Sequence, residues 1–413
     1  MAPACGKPVL MPTPTQRTAP ERGPWKSRLH AIRIIAGTPL FPPLFAASVL
    51  VGFRDSMSLP YNALFAVERA HMGPLAVGVF LTARAGGAIA MSLLFGAWFD
   101  RRPSLWPLLV TFAAGGVGYA LLTTTNDFVA LCLIAAVPLG IGAAAFPLVF
   151  AVARIEAAKA HTLAAARSVA LLRASFSLAW GIGPALGAVV LGQDNYNALF
   201  WFSALSSGLA LAPLALQRMA APAPGGRARV GPRLGGAVIF AAASLTLFSM
   251  AIGMGAVALP IAITTDFAGS KFDVGLASSF CALLEVPVMM AIVARPSRWL
   301  GYRGMALGFV ATALYFVAAA VAPSAAALIW VQVLRALGIG LVSCIGIGYL
   351  QDLAPDRVGA ASALYGNTVQ TGQLLAGLTA GAWAQAYDYH SLFWPCAVAS
   401  AAGLACLAAG RRG

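Results

Sequence analysis

Twelve apolar runs, each close to 20 residues long, alternate with short polar breaks from Leu40 onward. A run of about 20 residues coiled as a helix crosses the ~30 Å hydrocarbon core of a bilayer. No water reaches the backbone there, so each run must satisfy its own N–H and C=O groups by being helical. The approximate spans are 40–65, 75–98, 104–124, 128–152, 168–191, 198–216, 237–263, 274–293, 305–322, 325–350, 360–384 and 391–409. Only 10% of the 413 residues are charged and the mean hydropathy is +0.82. Soluble domains carry roughly 25% charged residues, so an ordinary soluble enzyme is excluded. The reading is an all-α membrane protein with twelve transmembrane helices.

The net charge of +14 suits either nucleic acid or a membrane, depending on where the charges sit. With the amino terminus inside, 21 of the 27 basic residues fall on cytoplasmic segments, and only Arg69 and Lys271 fall outside. This is the positive-inside pattern, so the charge is a topological label and no nucleic-acid partner is implied. Both termini are expected in the cytoplasm. Residues 1–38, rich in Pro and basic residues, read as a disordered cytoplasmic tail, and 39–217 as a six-helix bundle. Residues 218–235 read as a cytoplasmic linker, and 236–413 as a second six-helix bundle. Two short repeats support two pseudo-symmetric halves: Leu59-Pro60 with Leu259-Pro260, and Val77-Gly78 with Val274-Gly275.

Six ionisable residues fall inside spans: Arg54, Asp55, Arg84, Arg173, Glu285 and Arg335. A charge at the bilayer centre costs about 2.5–3.5 kcal/mol on insertion scales, so each is a candidate for function or for a buried ion pair. In the first span Arg54, Ser58, Tyr61 and Asn62 recur at i, i+4, i+7 and i+8, one polar stripe. Gln332 and Arg335 share a face of the tenth span, and Asn367 and Gln370 lie in the eleventh. Amides and hydroxyls both donate and accept, which suits a polyhydroxylated solute, although the same groups also serve as interhelical glue. The expected substrate-binding set is Arg54, Ser58, Tyr61, Asn62, Arg84, Arg173, Gln332, Arg335, Asn367 and Gln370. Glu285 is the candidate proton carrier, with Asp55 as a second, because a carboxyl in low dielectric favours its neutral form unless an Arg pairs with it.

Gly96-Ala-Trp-Phe-Asp100-Arg101-Arg102 resembles the loop signature of the major facilitator superfamily, where Gly96, Asp100, Arg101 and Arg102 would form a conformational latch. Gly181-Ile-Gly183-Pro184-Ala-Leu-Gly187 resembles the Gly-Pro motif of its antiporters, with Gly183, Pro184 and Gly187 as packing positions. Four further segments are similar to the bacterial sugar efflux transporter family and occur in its order. They begin at Pro147, Leu172, Leu284 and Tyr349 and include Arg173, Glu285, Gln351, Asp352 and Asn367. The chain departs from that family at Arg54, Asp55, Arg84 and Arg335, where small or amide residues are usual, and at Ala258.

The resemblance implies a major facilitator fold and a proton-driven exporter of sugars or sugar analogues. It would be a monomer in the bacterial inner membrane, working by alternating access. The alternative is an efflux pump for drugs or other small solutes, anionic ones included. The six Cys residues form no CxxC pair and the four His residues are scattered, so no metal, cofactor or enzymatic constellation is expected.

Overall fold

The computed structural model describes residues 40–160, 162–192, 194–217, 235–293, 301–355 and 358–411. The tail expected over 1–38 and nearly all of the expected linker lie outside the described residues, which are helical and contain no strand.

Helix α1 (Phe41–Ser58) continues through a 3-10 turn at Leu59–Tyr61 and a π turn at Phe65–Arg69. Then follow α2 (Pro74–Arg101), α3 (Trp106–Leu121) and α4, which runs in three pieces from Phe128 to Ala160. The first half closes with α5 (Thr162–Leu191) and α6 (Tyr196–Ala215). The second half has α7 (Gly236–Ile261, extended by a π turn at Ala262–Asp266), α8 (Lys271–Val293) and α9 (Gly301–Ala320). It ends with α10 (Ala325–Trp330 and Gln332–Leu353), α11 (Val358–Ala386) and α12 (Phe393–Ala409).

The helix order follows the predicted spans. By length and apolarity 8 helices qualify to cross a membrane, and α3 and α12 are shorter apolar helices. The two left over, α1 and α11, are those into which the sequence puts Arg54 and Asp55, and Asn367 and Gln370.

The halves repeat each other in detail. Helices α1 and α7 both end in a π turn, followed by a left-handed residue, His71 (φ 51°) and Ala268 (φ 48°). Equivalent bonds close both ends: Met72 N–H to Ala66 O and Gly269 N–H to Ile263 O. These pairs, like Val77 and Val274, are 197 residues apart. The Leu59-Pro60 and Leu259-Pro260 pair is 200 apart, three residues out of this register. That dipeptide match is therefore not a structural equivalence.

Three apolar cores explain the shape. One joins both halves, running from Met57, Phe65 and Tyr196 to Met254, Val274 and Phe393 at the end away from the linker. The other two serve one half each: Leu44, Phe112 and Val149 in the first, Phe248, Phe309 and Val342 in the second. Among the described residues the halves are thus sealed at the linker-distal end and keep separate cores, with a cleft between them, at the linker end.

Candidate functional site

Close backbone approach makes the seal. A Cβ on Gly78 of α2 would lie 2.6 Å from Gly377 O and 2.8 Å from Gly381 Cα of α11. On the other side, Ser279 Oγ of α8 accepts from Ala185 N–H of α5 at 3.1 Å. Toward the linker the contacts reach Leu374, whose carbonyl accepts from Thr82 Oγ1 at 3.4 Å, and the meeting of Gly181 with Leu283. Past these the cores separate, and Glu285, two residues beyond Leu283, lies at that depth on the face of α8 that carries Cys281.

In the first half Arg54 is fully buried and grips Asp55 with two bonds, Nε to Oδ1 at 2.8 Å and Nη2 to Oδ2 at 3.1 Å. Nη2 also donates to Gly142 O at 3.1 Å. Gly115 and Gly142 leave the room the guanidinium occupies, since a Cβ on Gly115 would lie 2.9 Å from its Nη1. Ser58 shares a 2.7 Å bond with Tyr119, whose hydroxyl accepts from Arg84 Nη2 at 3.1 Å.

The second half has a counterpart. Gln332 donates to Tyr315 Oη at 3.3 Å and accepts from Arg335 at 3.2 Å. Arg84 and Arg335 each lie 5.9 Å from a tyrosine ring centroid, Tyr119 and Tyr315. Glu285 has the Cys281 thiol at 3.6 Å and feels the charge of Arg335. Among the described residues no cation lies within 4 Å of its carboxylate.

Burial divides the expected substrate-binding residues. Arg54, Ser58, Tyr61, Asn62 and Gln332 are buried, so a solute in the cleft does not reach them in this conformation. Tyr61 is a strut, donating to Pro184 O at 2.7 Å. Ser58 and Gln332 are spent on neighbouring helices, as membrane hydroxyls and amides often are. Arg173 and Asn367 are exposed, while Arg84, Arg335 and Gln370 are half-buried. Arg173 is exposed on α5 about two turns before Gly181, on the face that meets α8 of the other half.

The two acids also part company. Both Asp55 oxygens are engaged by Arg54, whereas Glu285 has no ion-pair partner among the described residues. The packing residues lie along α1: Gly183 meets Ser56 and Gly187 meets Met57 and Tyr61. Asp100, Arg101 and Arg102 are exposed and form no ion pair among the described residues, and a Cβ on Gly96 would meet open space.

A different latch was missed. Lys271, heading α8, reaches into the first half: its Nζ lies 2.6 Å from Glu68 Oε2, pairs with Asp194, and sits 5.0 Å from the Tyr196 ring centroid. Tyr196 Oη donates to the same Glu68 oxygen at 2.6 Å. The signal was present, because Lys271 is one of two basic residues expected on the outer side and acids surround it.

The model of the Major Facilitator Superfamily matches residues 44–237 and 241–412. A putative sugar efflux transporter of Deinococcus radiodurans is 37% identical over 376 residues, covering 87% of this chain and 95% of its own length. Sugar efflux transporter B of Salmonella typhimurium is 28% identical, covering 87% and 92%. The crystal structure of the nucleoside transporter NupG superposes with a TM-score of 0.74 at 14% identity, covering 91% of this chain and 99% of NupG. That of the POT family transporter PepTSo gives 0.71, also at 14% identity, covering 90% and 97%. The chain belongs to the major facilitator superfamily of membrane transporters, among the sugar efflux transporters. It is a multi-pass membrane protein.

Proposed function

We propose that the protein is a proton-driven secondary transporter that exports sugars or sugar analogues across a bacterial inner membrane by alternating access. The linker end faces the cytoplasm, as the basic residues favour, and the sealed end faces outward. The observation that carries this reading is the core arrangement: one shared core at the outer end and separate cores at the inner end. Rocking of the halves exchanges which end is sealed and presents the cleft to each side in turn.

Glu285 is the proton carrier. Among the described residues it has no ion-pair partner, and it lies at the depth where the cores separate and is felt by Arg335, so its protonation changes the field where solute sits. Asp55 is instead the fixed counter-ion of Arg54, since carrying a proton would mean breaking two bonds. A membrane potential of 100 mV supplies about 2.3 kcal/mol per charge moved, ample for uphill export. The names of the relatives support sugar as cargo.

The test is release of radiolabelled sugar from liposomes holding the purified protein, with and without an imposed proton gradient. Gradient-stimulated release that disappears in Glu285→Gln is the expected result. Full stimulation in the variant removes Glu285 from the mechanism, and no sugar release from the wild type sinks the reading.

A further inference from the structure

Charge accounting inside the spans leaves an excess that the fold does not use. Four guanidinium groups face two carboxylates there. Arg54 and Asp55 consume each other. Arg84, Arg173 and Arg335 have no carboxylate within 4 Å among the described residues. Arg84 leaves Nη1 buried without a hydrogen-bond partner. One unpaired acid, Glu285, stands against these three cations.

An uncompensated charge in a low-dielectric wall is costly, and such walls focus a positive potential into the space between them. A neutral cargo gains little from that field. We infer that the cargo is a polyhydroxylated anion, a sugar bearing a carboxylate or a phosphate. Arg173 takes the anionic group, and Asn367 and Gln370 on the opposite half take hydroxyls. Arg173 holds this role because it is exposed and lies about two turns before Gly181, on the α5 face that meets the other half. Arg84 and Arg335 are held against tyrosines within their own halves and supply the field.

This inference rests on the export reading, and the experiment separates the two. Liposomes holding the full chain are preloaded with labelled glucose, glucuronate or glucose 6-phosphate at equal concentration, and initial release is measured under a proton gradient. At least one anion should leave about tenfold faster than glucose, the discrimination that one charge-assisted contact supplies. Arg173→Gln should collapse that ratio and Arg173→Lys should restore much of it. Glucose leaving as fast as both anions overturns the cargo class and leaves the export reading standing. Release of none of the three by a protein that elutes as a single folded species overturns the export reading, and the cargo class with it. Should Arg173→Gln fail to fold, the wild-type ratio alone decides.

Discussion

Replacing Lys271 by Met should open the sealed end of the transporter. The ammonium contributes through three contacts of unequal weight. Asp194 is 71% exposed, so its pair with Lys271 is screened and worth a few tenths of a kcal/mol. Glu68 is 30% exposed and Lys271 only 12%, which puts that 2.6 Å pair near ~1 kcal/mol, the upper end for such pairs. The cation over the Tyr196 ring adds about 0.5 kcal/mol. The sum, about 1.5 kcal/mol, stabilises the sealed state alone, because every partner belongs to the opposite half. Its loss shifts the sealed-to-open ratio about tenfold.

The assay is a spin-label distance distribution in a cysteine-free background. One label replaces Val129 and the other Val321, both well exposed at the linker-distal ends of α4 and α9. The long-distance population should rise about tenfold relative to the short one. Glu68→Gln should move it in the same direction, and high salt should reproduce only the small share due to Asp194. An unchanged distribution in Lys271→Met refutes the reasoning, since the contacts would then be present without favouring either state.

Three further outcomes follow from the same geometry. Arg54→Gln leaves the Asp55 carboxylate without either of its bonds and should lower stability by about 3–5 kcal/mol, with Arg54→Gln/Asp55→Asn recovering much of the loss in thermal unfolding in detergent. Gly78→Val places side-chain atoms against the Gly377 and Gly381 backbone, which cannot yield, so the same spin-label pair should report an open end while the protein still accumulates in the membrane. Tyr119→Phe removes the hydroxyl linking Ser58 to Arg84 and should cost about 1–2 kcal/mol of unfolding free energy; a cost near zero would mean the network is not a support.

Most of the helices were legible because the bilayer leaves the backbone one solution, so apolar length places all but the polar α1 and α11 and the short α3 and α12. The unusual charges were legible for the same reason: Arg54 or Glu285 stands out wherever charge is costly. What periodicity does not reveal is the neighbour that a helix face meets. Ser58, Tyr61 and Gln332 share faces with the charged residues, and a polar stripe of that kind reads as a cleft wall. In the structure they bond to Tyr119, to the Pro184 carbonyl and to Tyr315, contacts made with other helices, which periodicity within one helix does not reveal. The repeat failed in a related way. Leu-Pro is a common pair, and only the matching π turns and left-handed residues fix the register at 197 residues.

The asymmetry between the two ends has a cause in residue size and charge. At the linker-distal end Gly78, Gly377 and Gly381 let two backbones touch, and Lys271 then ties the halves electrostatically. At the other end a Cβ on Gly96 would meet nothing within 4 Å and Asp100 has no ion pair, so among the described residues this loop adds neither close packing nor charge pairing there. A transporter must be able to exchange these situations, so each clamp has to be weak enough to break. An ion pair and a cation–ring contact worth about 1.5 kcal/mol meet that condition. The glycine contact meets it too, because it brings backbones together while burying little side-chain area. The sealed end therefore joins a shared apolar core to small electrostatic contacts that a proton or a solute of modest affinity can bias, and a much stronger ion-pair clamp added to that core would hold the transporter shut.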